Sequence, residues 1–248
     1  LRLQFALSLI RAGKPEKAIG VVQAMSAADR KSQSETMNEV GKAFIASHYY
    51  HAALLLLRET QADAQELPAA EQFWNGGFET HFINNDDKPF HWLIDSHSQA
   101  QITIDNTRPH SGQSSLRIIF KSPNKLETIP LSQTVIIEPD TSYKLQFYVR
   151  TEALTTASSP LLGVKDLGGQ PLASSPPLPS GTNDWQAVTM TFKTKSKEEG
   201  ILITLYRDEC GNKDPVCPIY GTVWYDDFNL QRIGGAGTAT TRPSGKRQ

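Results

Sequence analysis

The chain has 248 residues, enough for one large or two modest domains. Its 38% hydrophobic and 21% charged residues describe an ordinary globular protein, with an apolar share low enough to leave room for disordered segments. A formal net charge of −1 gives no global electrostatic case for nucleic acid or an anionic membrane, and no run approaches the roughly 20 apolar residues of a membrane span.

The sequence starts at Leu1 inside a helical pattern, without an initiator Met, so a piece of something longer is expected and absent targeting signals carry no weight. Residues 1–66 read as helices. Leu3, Ala6, Leu7 and Ile10, then Ala18, Ile19, Val22 and Met25, recur at three- and four-residue spacing, and Gly13-Lys14-Pro15 breaks the pattern. A second helix–turn–helix follows, with Val40, Ala43 and Phe44 before a break near Ser47-His48 and Ala52, Leu55 and Leu56 after it. An offset of 34 superimposes Ala6 on Val40, Leu9 on Ala43, Gly13 on Ser47, Ala18 on Ala52 and Val22 on Leu56. This period, with small residues at the helix crossings, resembles two tetratricopeptide repeats, although Ser47 departs from the glycine at 13. Two repeats seldom bury a solenoid core alone, so further repeats are expected before Leu1, and a protein partner would bind through them. The leucine run 54–57 is read as core packing.

Residues 67–72 read as a linker. From Phe73 to Ile233 the pattern changes to short alternating runs, with candidate strands at 74–79, 90–94, 100–105, 115–121, 130–137, 142–151, 160–166, 185–194, 200–207 and 220–231. Tyr143, Leu145, Phe147 and Val149 alternate with Lys144, Gln146, Tyr148 and Arg150, as in a half-buried antiparallel strand. About ten strands at this spacing predict a two-sheet sandwich. Residues 168–181 read as a long surface loop, and 234–248, which lack large apolar side chains, as a disordered tail. Cys210 and Cys217 flank turn formers, which predicts a local disulfide and an oxidising, extracytoplasmic setting; two unpaired thiols are the alternative.

Asn75-Gly76-Gly77-Phe78-Glu79 and Trp224-Tyr225-Asp226-Asp227-Phe228 bracket the sandwich and carry acid where strands should be half buried. Between them lie Ser111-Gly112-Gln113-Ser114-Ser115-Leu116-Arg117-Ile118, Ile136-Ile137-Glu138-Pro139-Asp140-Thr141-Ser142-Tyr143 and Asp184-Trp185-Gln186. In this order and spacing, residues 73–233 resemble the jelly-roll carbohydrate-binding modules of the family 4/9/22 type. The resemblance implies a structural calcium held by Gly77, Glu79, a carbonyl near Gln113, and Asp226 or Asp227. Calcium takes six to eight oxygen ligands, and carboxylates on two neighbouring strands supply charge. Alternation from Phe228 and Leu230 predicts that Asp226 points toward the core and needs the counter-ion. Some members place an acid in the 108–114 loop, where this chain has Arg108, Pro109, His110 and Ser111; a hydrogen-bonded acid pair without metal is the alternative.

Sugar binding needs flat apolar faces and planar polar groups. Tyr148 and Arg150 on the non-core side of strand 142–151, with Arg207 and Trp92, are the candidate ligand contacts; Trp185 is expected in the core. The histidines are scattered, and no zinc-protease, serine-elbow or phosphate-loop pattern occurs. The predicted protein is therefore non-enzymatic: helical hairpins followed by an antiparallel β-sandwich jelly roll that binds a polysaccharide. A scaffold whose sandwich is only structural, or an accessory region of a larger enzyme, are the other readings.

Overall fold

A computed structural model describes residues 1–60, 67–80, 88–94, 100–120, 131–210 and 217–234. The expected tail from 235 onward lies outside the described residues.

The helical part contains α1 (Arg2–Arg11), α2 (Pro15–Gln23), α3 (Ala27–Ser32), α4 (Ser34–Ala46) and α5 (Tyr50–Thr60). Pro15 opens α2 at a position where its missing N–H costs nothing, and the Ser26 hydroxyl caps α3 by accepting from Asp29 N at 3.1 Å. Leu3, Ala6, Leu7 and Ile10 of α1 meet Met37, Val40 and Phe44 of α4, with Ala18, Val22, Ala53 and Leu56 completing one core. The 34-residue offset holds for the buried faces of α1 and α4. It becomes 35 at the turns, where Lys14 N bonds Leu9 O and Tyr49 N bonds Phe44 O, because α4 is one residue longer before its break. His48, with φ of 64°, therefore stands where Gly13 stands in the first hairpin.

The sandwich consists of β1 (Leu93–Ile94), β2 (Ala100–Asp105), β3 (Ser115–Phe120), β4 (Leu131–Ile136), β5 (Ser142–Thr156), β6 (Pro160–Asp166), β7 (Pro171–Ser174), β8 (Gly181–Lys193), β9 (Gly200–Arg207) and β10 (Ile219–Arg232). One antiparallel sheet has the order β1-β4-β9-β6-β7, the other β2-β3-β10-β5-β8. Tyr143, Leu145, Phe147 and Val149 face Leu162, Val164, Ile201, Ile203 and Leu205 across a shared core, as the period-2 pattern requires.

Two expectations fail locally. Residues 75–79 form a turn and no strand: Asn75 and Phe78 have positive φ, Phe78 N bonds Asn75 O, and the Asn75 side chain closes on Thr80 N and O. The 168–181 stretch contains β7, which pairs with β6. The segment 67–72 also packs rather than hanging free. Leu67 is buried, Glu71 N donates to Ile136 O at 2.7 Å, and the Glu71 carboxylate meets Arg232 and the Tyr143 hydroxyl.

Helix α5 serves two cores. Ala53 and Leu56 face the other helices, whereas Tyr50, Leu54 and Leu57 pack with Leu67, Phe90 and Ile136 on the sandwich. His51 N donates to Glu199 Oε2 at 2.9 Å, and its ring nitrogen lies 3.1 Å from Ile137 O. Tyr50 lies against Gly200, where an added Cβ would sit 2.4 Å from its Cε2. Gly200→Ala should therefore destabilise the protein by about 1–3 kcal/mol, as overpacking does. In a Tyr50→Ala background most of that penalty should vanish; chemical denaturation of the four proteins of the cycle measures it.

Candidate functional site

The two bracketing motifs meet. β10 carries a bulge in which Asp227 and Phe228 together oppose Phe147, and Asp227 takes φ of 51°. The extra residue reverses the alternation. Phe228 and Leu230 enter the core, but Asp226, paired with Tyr148, lies on the opposite side of the sheet from Tyr225. It is nevertheless fully buried, because the loop before β3 folds over it. Its Oδ2 accepts from His110 N at 2.8 Å and Ser111 N at 3.3 Å, and its Oδ1 accepts from Asp227 N at 2.8 Å. Burial pushes its carboxyl up to about 6; the His110 N–H opposes this and the Asp227 charge adds to it. Asp227 bonds the Ser111 hydroxyl and shares a 2.6 Å hydrogen bond with His110 Nδ1. Glu79 accepts from Gln113 N at 2.9 Å and Ser114 N at 3.4 Å.

The expected metal ligands are thus neighbours, and backbone N–H groups answer much of their charge. A Cβ on Gly77 would lie 3.7 Å from Asp227 Oδ1 and 3.9 Å from Asp226 Oδ1. Among the described residues no three His, Cys, Asp or Glu side chains converge as a ligand set. The carboxylate oxygens are of a kind that suits a hard cation such as calcium.

The outer face of the β2-β3-β10-β5-β8 sheet holds Tyr148 and Arg150, and both are engaged. His110 stacks on the Tyr148 ring with centroids 3.6 Å apart, and Arg150 pairs with Asp184. Trp185 belongs to this face rather than the core, edge-on to His110. Asp105 accepts from Trp224 Nε1 at 2.8 Å and from Thr107, and Arg117 approaches it at 3.4 Å; Arg108 lies over the Trp224 ring. Arg207 and Trp92, expected as ligand contacts, are both buried instead. Arg207 donates to Ser158 O, Thr156 Oγ1 and Cys217 O, so its guanidinium ties the end of β9 to Cys217, which is disulfide-bonded to Cys210. Trp92 is a core ring stacked on Phe73 and edge-on to Phe228, with no face open to a ligand.

The outer face of the other sheet is where sequence reasoning was incomplete. One cross-strand row runs Leu93, Ser132, Thr204, Gly163, Ser174, and the next runs Thr134, Leu202, Lys165, Pro171. Tyr206 leans from β9 across β6. A Cβ at 163 would lie 2.9 Å from its Cε1, so the bare glycine lets the ring approach the sheet backbone. Its hydroxyl reaches Ser174 Oγ at 2.7 Å on β7. Leu93, at one end of the first row, is half exposed, while the far end of the face, at Ile136 and Gly200, is occupied by α5. Alternation along 200–207 could have indicated that Tyr206 faces outward; no local signal marks Gly163 as its seat.

Residues 70–209, more than half of the chain, match the family model described as a carbohydrate binding domain, CBM 4/9. The chain belongs to this carbohydrate-binding domain family. No curated protein matches its sequence. Among solved structures it is similar to one described as "CBM4 structure and function", at 14% identity over 65% of this chain and 100% of that one, with a TM-score of 0.47. It is also similar to the CBM22-1 xylan-binding domain from Paenibacillus barcinonensis, at 11% identity over 65% and 94% of the two chains, TM-score 0.41. TmCBM61 in complex with β-1,4-galactotriose follows at 20% identity over 67% and 100%, TM-score 0.44. The architecture described above is the jelly-roll sandwich.

The Asp105 cluster gives a pH test. Burial alone would raise its carboxyl, but the bonds from Thr107 and Trp224 and the Arg117 charge hold it below the usual aspartate value. A depressed folded-state value means stability fully present above the unfolded-state value and lost as pH falls through the folded one. Asp105→Asn should cost about 1–3 kcal/mol at neutral pH and remove part of the acid-limb slope below about 4, read from melting temperatures across pH.

Proposed function

We propose that the sandwich is a non-catalytic polysaccharide-binding module, and that sugar is taken on the outer face of the β1-β4-β9-β6-β7 sheet around Tyr206. Family membership over residues 70–209 carries the carbohydrate reading. The choice of face rests on contrast. On the other sheet, the outward aromatic and cationic groups at Tyr148, Trp224, Arg117 and Arg150 are spent on one another or on nearby acids. On this sheet Tyr206 leans across β6 with its hydroxyl on Ser174, and the outward-facing Ser132 and Thr134 lie on β4 of the same face; a flat ring with hydroxyls on its face of the sheet is the combination that pyranose rings require. In affinity electrophoresis against polysaccharides, Tyr206→Ala should weaken retention about tenfold, the loss of one stacking contact, whereas Tyr206→Phe should retain most of it. Retention unchanged in the alanine variant would move the site elsewhere.

A structural calcium at the bracketing motifs belongs to the same proposal. Asp226, Asp227 and Glu79, with carbonyls at Gly77 and Gln113, would hold it, and its chemistry would be charge neutralisation of these acids, of which Asp226 is buried. Chelator should then lower the melting temperature and added calcium restore it, since an ion bound only to the folded state stabilises it by mass action. An identical midpoint with and without chelator would count against the metal.

The disulfide supports an oxidising, extracytoplasmic location. The paired hairpins support a tetratricopeptide-like region that binds a protein partner. One observation favours a second reading, in which the sandwich is a scaffold: α5 occupies one end of the same sheet face. Retention of the folded chain on no polysaccharide would select that reading.

A further inference from the structure

Several cations of the sandwich have a carboxylate partner. Arg108 approaches Glu152, Arg117 approaches Asp105, and Arg150, Lys195 and Arg232 pair with Asp184, Asp166 and Glu71. Lys165 differs. It stands on β6 two residues from Gly163, on the same outer face, and among the described residues no carboxylate lies within ion-pair distance of it. Its Nζ is 5.8 Å from the centroid of the Tyr206 ring, within reach of the π-face. The side chain is half-buried while its neighbours Val164 and Asp166 are buried. An ammonium held there beside an aromatic seat keeps its charge for whatever lies on the ring.

We infer that the ligand is an acidic polysaccharide bearing uronate units, the sugar ring stacking on Tyr206 and its carboxylate pairing with Lys165. This rests on the reading that this sheet face binds sugar. A uronate carries its carboxylate on the ring carbon next to the ring oxygen, at the rim of the stacked face. A cation over the ring, 5.8 Å from its centroid, is within reach of a carboxylate at that rim, whereas a neutral pyranose presents only a hydroxymethyl or a hydrogen there. Gly163 allows the ring to lie low, Ser174 fixes its hydroxyl end, and Lys165 supplies the charge; Gly163 and Lys165 come from β6 and Ser174 from the neighbouring β7, all on one face.

Affinity electrophoresis of the full chain in gels containing polygalacturonate, neutral xylan or dextran sulfate tests this, at one fixed ionic strength. Polygalacturonate should retard the wild type most. Lys165→Met should weaken that retardation about tenfold, the loss of one charge-assisted hydrogen bond, and Lys165→Arg should restore most of it. An unchanged melting temperature in Lys165→Met separates a binding loss from a folding loss. Equal retardation by xylan and polygalacturonate, insensitive to Lys165→Met, overturns the uronate assignment and leaves the sugar reading standing. Retardation by dextran sulfate alone overturns it in favour of a general polyanion surface. Retardation by none of the three sinks the sugar reading and this inference with it.

Discussion

The two-residue bulge at Asp227 and Phe228 organises the sandwich. By opposing both residues to Phe147 alone, it turns Phe228 inward, where its ring meets Phe73, Phe78, Trp92 and Phe147. The segment at 73–80 crosses the end of the sandwich without forming a strand, and it is held by these aromatic contacts and by the Phe228 N–H donated to Gly76 O. Just before the bulge, Asp226 keeps the alternation from Tyr225 and faces outward into the cage of N–H groups from His110, Ser111 and Asp227. Apolar anchoring on one side and charge compensation on the other therefore meet at one backbone irregularity. A regular strand continuing from Tyr225 would have put the Asp227 carboxylate toward the aromatic rings and Phe228 outside them, and an unpaired buried charge costs far more than a bulge.

The helical part is attached by a different kind of economy. α5 has apolar residues around most of its circumference, and each side has its own counterpart: Ala53 and Leu56 on the hairpins, Tyr50, Leu54 and Leu57 on the sheet. Burial raises the Tyr50 hydroxyl to about 12 where the ring meets Gly200. The helix thus acts as shared wall rather than tether, and it narrows the outer face of the β1-β4-β9-β6-β7 sheet to the region around Tyr206 and Lys165.

Much of this was legible in the sequence because it depends on period. The alternation at 142–151 gave β5 its inward and outward faces, and the three- and four-residue spacing of Leu3, Ala6, Leu7 and Ile10 gave α1 its buried stripe. What failed did so where period breaks. A bulge shifts every later residue to the other face, so counting back from Phe228 assigned Asp226 to the wrong side. Composition misled at Trp92 and Arg207, since an aromatic or an arginine suits a ligand as well as it suits a core or a buried carbonyl cluster. Tyr206 was legible as an outward residue but not as a site, because its setting is made by Gly163 and Ser174 on strands that only the fold brings alongside.

The attachment of α5 also bears on how the chain is made. Tyr50, Leu54 and Leu57 leave the ribosome long before their counterparts, and the bond from His51 to Glu199 spans 148 residues. During that interval the hairpins can form from local contacts, yet one apolar stripe has no surface to rest on until β4 and β9 have paired. Vectorial synthesis therefore passes through a species with a finished helical half and a sticky flank. That interval is the one in which a chaperone, or another nascent copy, would find the chain.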